Sequence, residues 1–440
     1  MGGLAADTGW VAVWQASAAA AILIQIAVIT HAFGITEYGR FAIIVAFVEL
    51  VGGFFNPRAV YASTTFGARW LVRDPRVAAG VFQYCWLIDL AATAAGLIML
   101  AVLALAAGPQ LAGDGSTGLI LIYAFALLGP TLSRSAFVVL RLLDRFALIA
   151  TYAWALELTR IVLVVLAVVL FHSITAVLVA IVIATLAAGI VDAGVAAVVL
   201  RRAHGLRLTR SHLGALERSE RREMLKNTSQ TLVISSGRTV QNHLPTVLLG
   251  GLAGATQAGI YKVGMAAAAP IGMLFAPASA ALLPRLARLW SEGRLRELRR
   301  LVFHASTFSG LAVGLGFVAL LVFQGPILRL IGAGEAGDEA ATVMLLGAAA
   351  QALYGLVFWH STLLFAANRT GPMSVVSGLA VIFQILAMLA LVPILDATGA
   401  ALALLASQVL INVALTTLAL RTLRSAPDGQ VDPKEPAPVA

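Results

Sequence analysis

The sequence predicts an all-α polytopic membrane protein. The expected architecture is twelve transmembrane helices in two six-helix bundles, related by a pseudo-twofold axis along the membrane normal. Three observations predict it. First, hydrophobic residues make up 60% of the chain and charged residues 12%, with a mean hydropathy of +0.93, far from a soluble globular composition. Second, basic residues are distributed unevenly between alternate connections. Third, landmarks recur at an offset of half the chain.

Eleven apolar spans read directly: 10–33, 38–55, 81–107, 117–140, 147–171, 174–200, 257–283, 301–324, 340–366, 371–392 and 397–420. Each is long enough for a bilayer core of about 30 Å. The twelfth is less apolar. It is the stretch KNTSQTLVISSGRTVQNHLPTVLLG, Lys226–Gly250. Thr228, Thr231, Ser235, Arg238 and Asn242 recur there at steps of three and four, which places them on one face of a helix.

The charge distribution requires that twelfth span. With twelve spans and both termini cytoplasmic, 24 of the 30 basic residues fall on inner segments. Only Arg40 and Arg329 fall outside, and Arg134, Arg160, Arg238 and Lys262 lie within spans. Without the span at 227–250, the arginine-rich segment 285–300 and the tail would face outward, against the positive-inside rule. The repeat agrees. At an offset of 220, Thr36 meets Thr256, Gly39 meets Gly259, Phe41 meets Tyr261, Phe55 meets Phe275, Pro57 meets Pro277 and Trp70 meets Trp290. The offset drifts to 224 where Asp144-Arg145 meets Asn368-Arg369. The chain therefore divides into a first bundle at 1–200, a basic cytoplasmic linker at 201–226, a second bundle at 227–423 and a proline-rich, disordered tail at 424–440. Six spans per half give both halves one orientation, with the site expected between them.

Other classes are disfavoured. Residues 1–9 hold no lysine or arginine ahead of the first apolar run, so the first helix is expected to remain as a span. The single cysteine, Cys85, allows no intramolecular disulfide. No phosphate loop or zinc motif is present, and neither a cofactor nor a metal is expected. The stretch Pro57–Arg76 suits a surface helix whose arginines favour anionic head groups.

Ionisable residues inside spans are expensive and must face protein or water. They are Glu49, Asp89, Arg134, Glu157, Arg160, Asp192, Arg238 and Lys262. All four acids lie in the first half, so the second presents a net positive face suited to an anion. Arg238 and Arg160, near mid-depth, are the candidate anion ligands, since guanidinium matches phosphate oxygens. Thr231, Ser235, Gln241 and Asn242 would line the same lumen. Glu157, three residues before Arg160, is within pairing range of it. A self-neutralised pair is the competing reading there. Glu157 and Asp89 are the candidates for ion coupling, and Lys262 and Pro277 for gating. Glu49, Asp89, Arg134 and Asp192 also read as a structural cluster within the first half. His243 and His360 lack partners at metal spacing and read as polar packing. The residue opposite Arg238 at the 220 offset is Ala18, so the cationic site is asymmetric.

Several segments resemble a known group. FGITEYGRFAII, QAGIYKVGMAAA, ALLPRLARLW and PILRLIG are similar to those of polysaccharide flippases of the multidrug/oligosaccharidyl-lipid/polysaccharide (MOP) exporter superfamily, Wzx-type O-antigen and exopolysaccharide transporters in particular. Tyr38-Gly39 and Gly259-Ile260-Tyr261 match that group's turns between paired spans. The resemblance implies a bacterial cytoplasmic-membrane flippase, not an enzyme. Its implied substrate is a polyprenyl-pyrophosphate-linked oligosaccharide, moved to the outer leaflet by alternating access for polysaccharide biosynthesis. Implied partners are that lipid-linked substrate, membrane lipids and a polysaccharide polymerase or other export machinery, with no nucleic acid. Span one lacks the arginines of lipid II flippases. A cation-coupled multidrug antiporter and a membrane glycan polymerase or ligase are the alternative readings.

Overall fold

The computed structural model describes residues 2–113, 115–206, 211–273, 276–367 and 369–425. Among the described residues there are thirteen α-helices and no strand. They are α1 (Gly2–Phe54), α2 (Val60–Arg73), α3 (Pro75–Ala112), α4 (Ser116–Ala124), α5 (Leu128–Leu142), α6 (Phe146–Phe171), α7 (Ile174–His204), α8 (Arg218–Met273), α9 (Ala276–Ser291), α10 (Leu295–Leu330), α11 (Gly337–Val357), α12 (Trp359–Ala366) and α13 (Thr370–Ser425). Eight described helical segments are long and apolar enough to cross a membrane. This is a multi-pass membrane protein.

Three helices are too long for one crossing. α1 has 53 residues and α8 and α13 have 56 each. At 1.5 Å per residue these would reach about 80 Å, against a bilayer core of about 30 Å. Each is broken at one residue: Gly34 (φ 80°, ψ 170°), Gly254 (φ 86°, ψ 178°) and Asp396 (φ 49°, ψ −130°). With α4–α5 and α11–α12 each forming one crossing, the breaks yield the twelve predicted spans. α8 is not among those eight segments, because its polar residues lower its hydropathy.

The repeat is written into the backbone. Gly34 and Gly254 are 220 residues apart and share nearly the same left-handed φ, which glycine adopts without steric cost. His172 (φ 42°) and Asp396 (φ 49°) are 224 apart, reproducing the drift in offset. The breaks in α8 and α1 are therefore glycine breaks, while Pro245 and Pro270 lie within helix. The described part of α8 runs to Met273 and that of α9 starts at Ala276.

The chain forms two compact units, Met1–Gly259 and Ile260–Ala440. In the first, α5 and α7 meet backbone to backbone. A Cβ at Gly129 would overlap the Thr185 carbonyl, and one at Gly189 the Gly129 carbonyl. Small residues at helix contacts are what close packing requires where lipid supplies no hydrophobic drive. The segment predicted as a basic linker is docked. Leu216 and Met224 are buried in a cluster with Ala59, Phe66, Val81 and Cys85. The Trp70 indole donates to Glu220 at 2.7 Å, and the His212 amide donates to the Gln83 side chain at 2.8 Å. In the second unit, α12 packs against α9 and α13, and α11 against α10 and α13.

Candidate functional site

A polar cavity lies inside the first unit. It is a cavity of about 200 Å³ where the end of α1, the α1–α2 connection, α3, α5 and α8 converge. α1 contributes Glu49, Gly52 and Gly53, and the connection adds Asn56 and Arg58. α3 contributes Thr93 and Gly96, α5 contributes Thr131 and Arg134, and α8 contributes Thr239, Asn242 and His243. Gly53 is needed for this convergence, because a Cβ there would overlap the Thr239 side chain.

Hydrogen bonds fix the α3–α5 wall. The Thr93 and Thr131 hydroxyls are 2.8 Å apart, and Thr93 also donates to the Asp89 carbonyl at 2.8 Å. Asp89, one turn from Thr93, is 1% exposed. Its Oδ1 accepts the Ala59 amide at 3.3 Å, and its Oδ2 has no hydrogen-bond partner. Arg134 lies within electrostatic reach of Asp89, Arg58 and Glu49. Two guanidiniums, one carboxylate, amides, an imidazole and hydroxyls therefore surround one small volume, with the Asp89 carboxylate behind it. Such a set can hydrogen-bond both an anionic group and the hydroxyls of a sugar.

Of the predicted lumen residues, Asn242 lines this cavity. Thr231 is half-buried on α8 and donates to the Asn227 carbonyl at 2.8 Å, and Gln241 is half-buried beside Asn242. Arg238 and Ser235 lie on the α8 backbone, but their side chains are outside the described residues, as is that of Pro277. By helix position Arg238 stands one turn before Asn242, on the same face. Arg160 and Glu157 form an ion pair on α6 at 2.7 Å, away from the cavity lining. Glu49, Asp89 and Arg134 gather at or behind the cavity, whereas Asp192 on α7 lies near Ser133 on α5. Lys262 is half-buried on α8 beyond its break.

Sequence reasoning alone misses Arg58, Thr239 and His243. Arg58 reads as one more basic residue in a connection. Thr239 and His243 follow the α8 stripe by one position, and Asn242, Thr239 and His243 share its face at helical spacing.

A second feature lies just past the break in α1. The Thr36 and Thr256 hydroxyls are 2.9 Å apart. A Cβ on Gly39 would overlap the Ala255 carbonyl, and a Cβ on Gly259 would overlap that of Ile35. These contacts are reciprocal at an offset of 220. Each residue touches the repeat counterpart of its partner, as on a local twofold axis. All of them lie within the first unit.

Comparison with known proteins agrees with this architecture. The profile of a polysaccharide biosynthesis protein family matches residues 82–290, just under half of the chain. No curated protein sequence matches the chain. Among solved structures, the chain is similar to an inward-facing multidrug resistance MATE family transporter of the MOP superfamily. The TM-score is 0.70 at 14% identity, covering 92% of this chain and 94% of that one. It is similar to the lipid II flippase MurJ in an inward closed conformation, with a TM-score of 0.71 at 11% identity, covering 94% and 88%. It is also similar to the MATE multidrug transporter DinF-BH, with a TM-score of 0.66 at 19% identity, covering 95% of each chain. The chain has the fold of MOP superfamily transporters.

Proposed function

We propose that this chain, built on the MOP transporter fold, is a flippase and not an enzyme. Its cargo is a polyprenyl-pyrophosphate-linked oligosaccharide, carried from the inner to the outer leaflet of a bacterial cytoplasmic membrane. Both termini are cytoplasmic, and two six-helix halves, 1–200 and 227–423, alternate access. The observation that carries this reading is the polysaccharide biosynthesis family match across residues 82–290. The chemistry of the first unit supports it. Arg58 and Arg134 beside Asn56 and Asn242 offer donors to phosphate oxygens, and Thr93, Thr131 and Thr239 suit sugar hydroxyls. The cavity of about 200 Å³ fits a head-group fragment and not a whole glycan, so the remaining sugars and the polyprenyl chain lie outside it. Arg238 extends the cationic face along α8, and Arg160, held by Glu157, is a second ligand.

Net flux in one direction requires an ion gradient or removal of product, since a ligand shifts an equilibrium only by its differential affinity. A cation-coupled antiporter is the second reading. Glu49 in the cavity and Asp89 behind it favour that alternative, since both are carboxylates of the kind cation coupling uses.

Arg238→Ala should abolish surface glycan export at normal membrane abundance of the protein. Wild-type export by that variant would remove Arg238 from the site. Retained export together with loss of resistance to a cationic dye would select the antiporter.

A further inference from the structure

The second unit holds a buried polar group that the proposed transport site does not use. His360, on α12, is 1% exposed. Its Nε2 lies 2.9 Å from Asn412 Oδ1 on α13, and its Nδ1 lies 2.8 Å from the Ser361 hydroxyl. The state of the ring follows from the partners. Asn412 Nδ2 donates to the Gln408 backbone carbonyl at 2.7 Å, which can only accept. The Asn412 amide orientation is thereby set, and Oδ1 must accept from His360. Nε2 therefore carries hydrogen, Nδ1 is the free acceptor of a neutral ring, and Ser361 donates to it.

This arrangement accommodates a second protonation state without moving a heavy atom. A proton arriving from water would bond Nδ1. The Ser361 hydroxyl would rotate its hydrogen away and accept from the new N–H, and the Asn412 contact would be unchanged. A ring held only by groups that can donate could not do this.

The surroundings add two facts. Phe358, two residues before His360, joins α11 to α12 with helical dihedrals (φ −53°, ψ −25°), so His360 stands on one continuous crossing. Unpartnered buried polar atoms occur on the same helices, at Trp359 Nε1 on α12 and at Gln384 Nε2 and Thr416 Oγ1 on α13. α9, α10 and α13 pack against α12. The charged or titratable groups on these helices are Arg285 and Arg288 on α9, Arg296, Glu297, Arg299, Arg300, His304 and Arg329 on α10, and Asp396, Arg421 and Arg424 on α13. All are exposed. None of them is hydrogen-bonded to the ring, and among the described residues of these helices no carboxylate is placed to neutralise an imidazolium.

We propose that His360 is a proton-binding site in the second unit, and that its protonation favours a conformation in which the α12–α13 contact opens to water. A proton bound there is neutralised by solvent only after the contact loosens. The two conformations then differ in proton affinity, and proton concentration shifts the balance between them. The site is independent of the flippase reading, and its test uses no glycan.

The test uses the full chain in lipid nanodiscs in a Cys85→Ala background. His360→Gln keeps a donor for Asn412 and removes the titrating ring, so it assigns the His360 imidazole signal by NMR. That signal should pass through one protonation step as the pH is lowered. A cysteine at Thr416, one turn from Asn412, should react with a water-soluble thiol reagent about threefold faster below that step than above it. The rate is to be taken relative to the same cysteine in the His360→Gln protein, which cancels thiol ionisation. An imidazole signal that stays in one position from about pH 4.5 to about pH 8.5 overturns the proposal. A labelling ratio that does not change with pH overturns it equally. Should His360→Gln fail to fold, Ser361→Ala removes the hydroxyl that must switch roles. It should move the midpoint of the titration, and an unmoved midpoint counts against the site.

Discussion

Asp89 is held by the Ala59 amide through one oxygen, while its other oxygen has no hydrogen-bond partner and Arg134 lies within electrostatic reach. A nearly fully buried carboxylate of this kind is costly to strand. Removing one member of a buried charge pair typically costs about 3–5 kcal/mol. Arg134→Ala should therefore lower the thermal unfolding midpoint in detergent more than Asp89→Asn does, because it leaves Asp89 without its cation. The double variant should recover part of the loss, with a coupling of about 0.5–3 kcal/mol. Strict additivity of the two changes would mean that Arg134 serves the cavity and not Asp89. Arg160 differs from both. Its partner Glu157 is on the same helix, 2.7 Å away, and both side chains are part-exposed. The three-residue spacing exposed that pair in the sequence, whereas the gathering of Arg134, Arg58 and Glu49 required three separate segments to converge.

At the scale of elements, α1 and α8 are the informative pair. Glycine permits their closest approaches, at Gly39 with Gly259 and at Gly53 with Thr239. The hydroxyls of Thr36 and Thr256 are close enough for cysteines there to meet, since disulfide Cβ atoms stand about 3.5–4.5 Å apart. In a Cys85→Ala background, Thr36→Cys with Thr256→Cys should cross-link under mild oxidation. Export should stop and should return on reduction. Full export by the cross-linked protein would show that this contact need not part during the cycle. The lower part of α8 is anchored differently, through Met224 in a packed cluster and Glu220 on Trp70. Met224→Ala should cost about 2–5 kcal/mol of stability, measured by denaturant unfolding. A cost near zero would mean the docked segment is as loose as its composition suggests. Its composition, rich in arginine and glutamate, conceals the two apolar residues that dock it, which is why the sequence reads it as a linker.

For the whole molecule, sidedness is the open quantity, and the basic residues predict it. A reporter fused after Arg300 should report the cytoplasmic side; a periplasmic signal would be incompatible with twelve spans and a cytoplasmic N-terminus. The number of spans and the internal repeat are legible in the sequence because both are one-dimensional. Apolar length sets a crossing, loop arginines set its direction, and the 220-residue offset sets the correspondence between halves. The same offset predicts which residues should be equivalent, such as Gly34 and Gly254, without showing that Thr36 and Thr256 touch. Nor could periodicity alone place the cavity. The stripe on α8 names Asn242, but Arg58, Thr239 and Glu49 join it only because α1 approaches α8 at a glycine. The sequence by itself determined class, span count and repeat, since these follow from apolar length, loop charge and matching positions along the chain. Tertiary structure decided which polar groups share a space, because that depends on where separate helices come close enough for their side chains to meet.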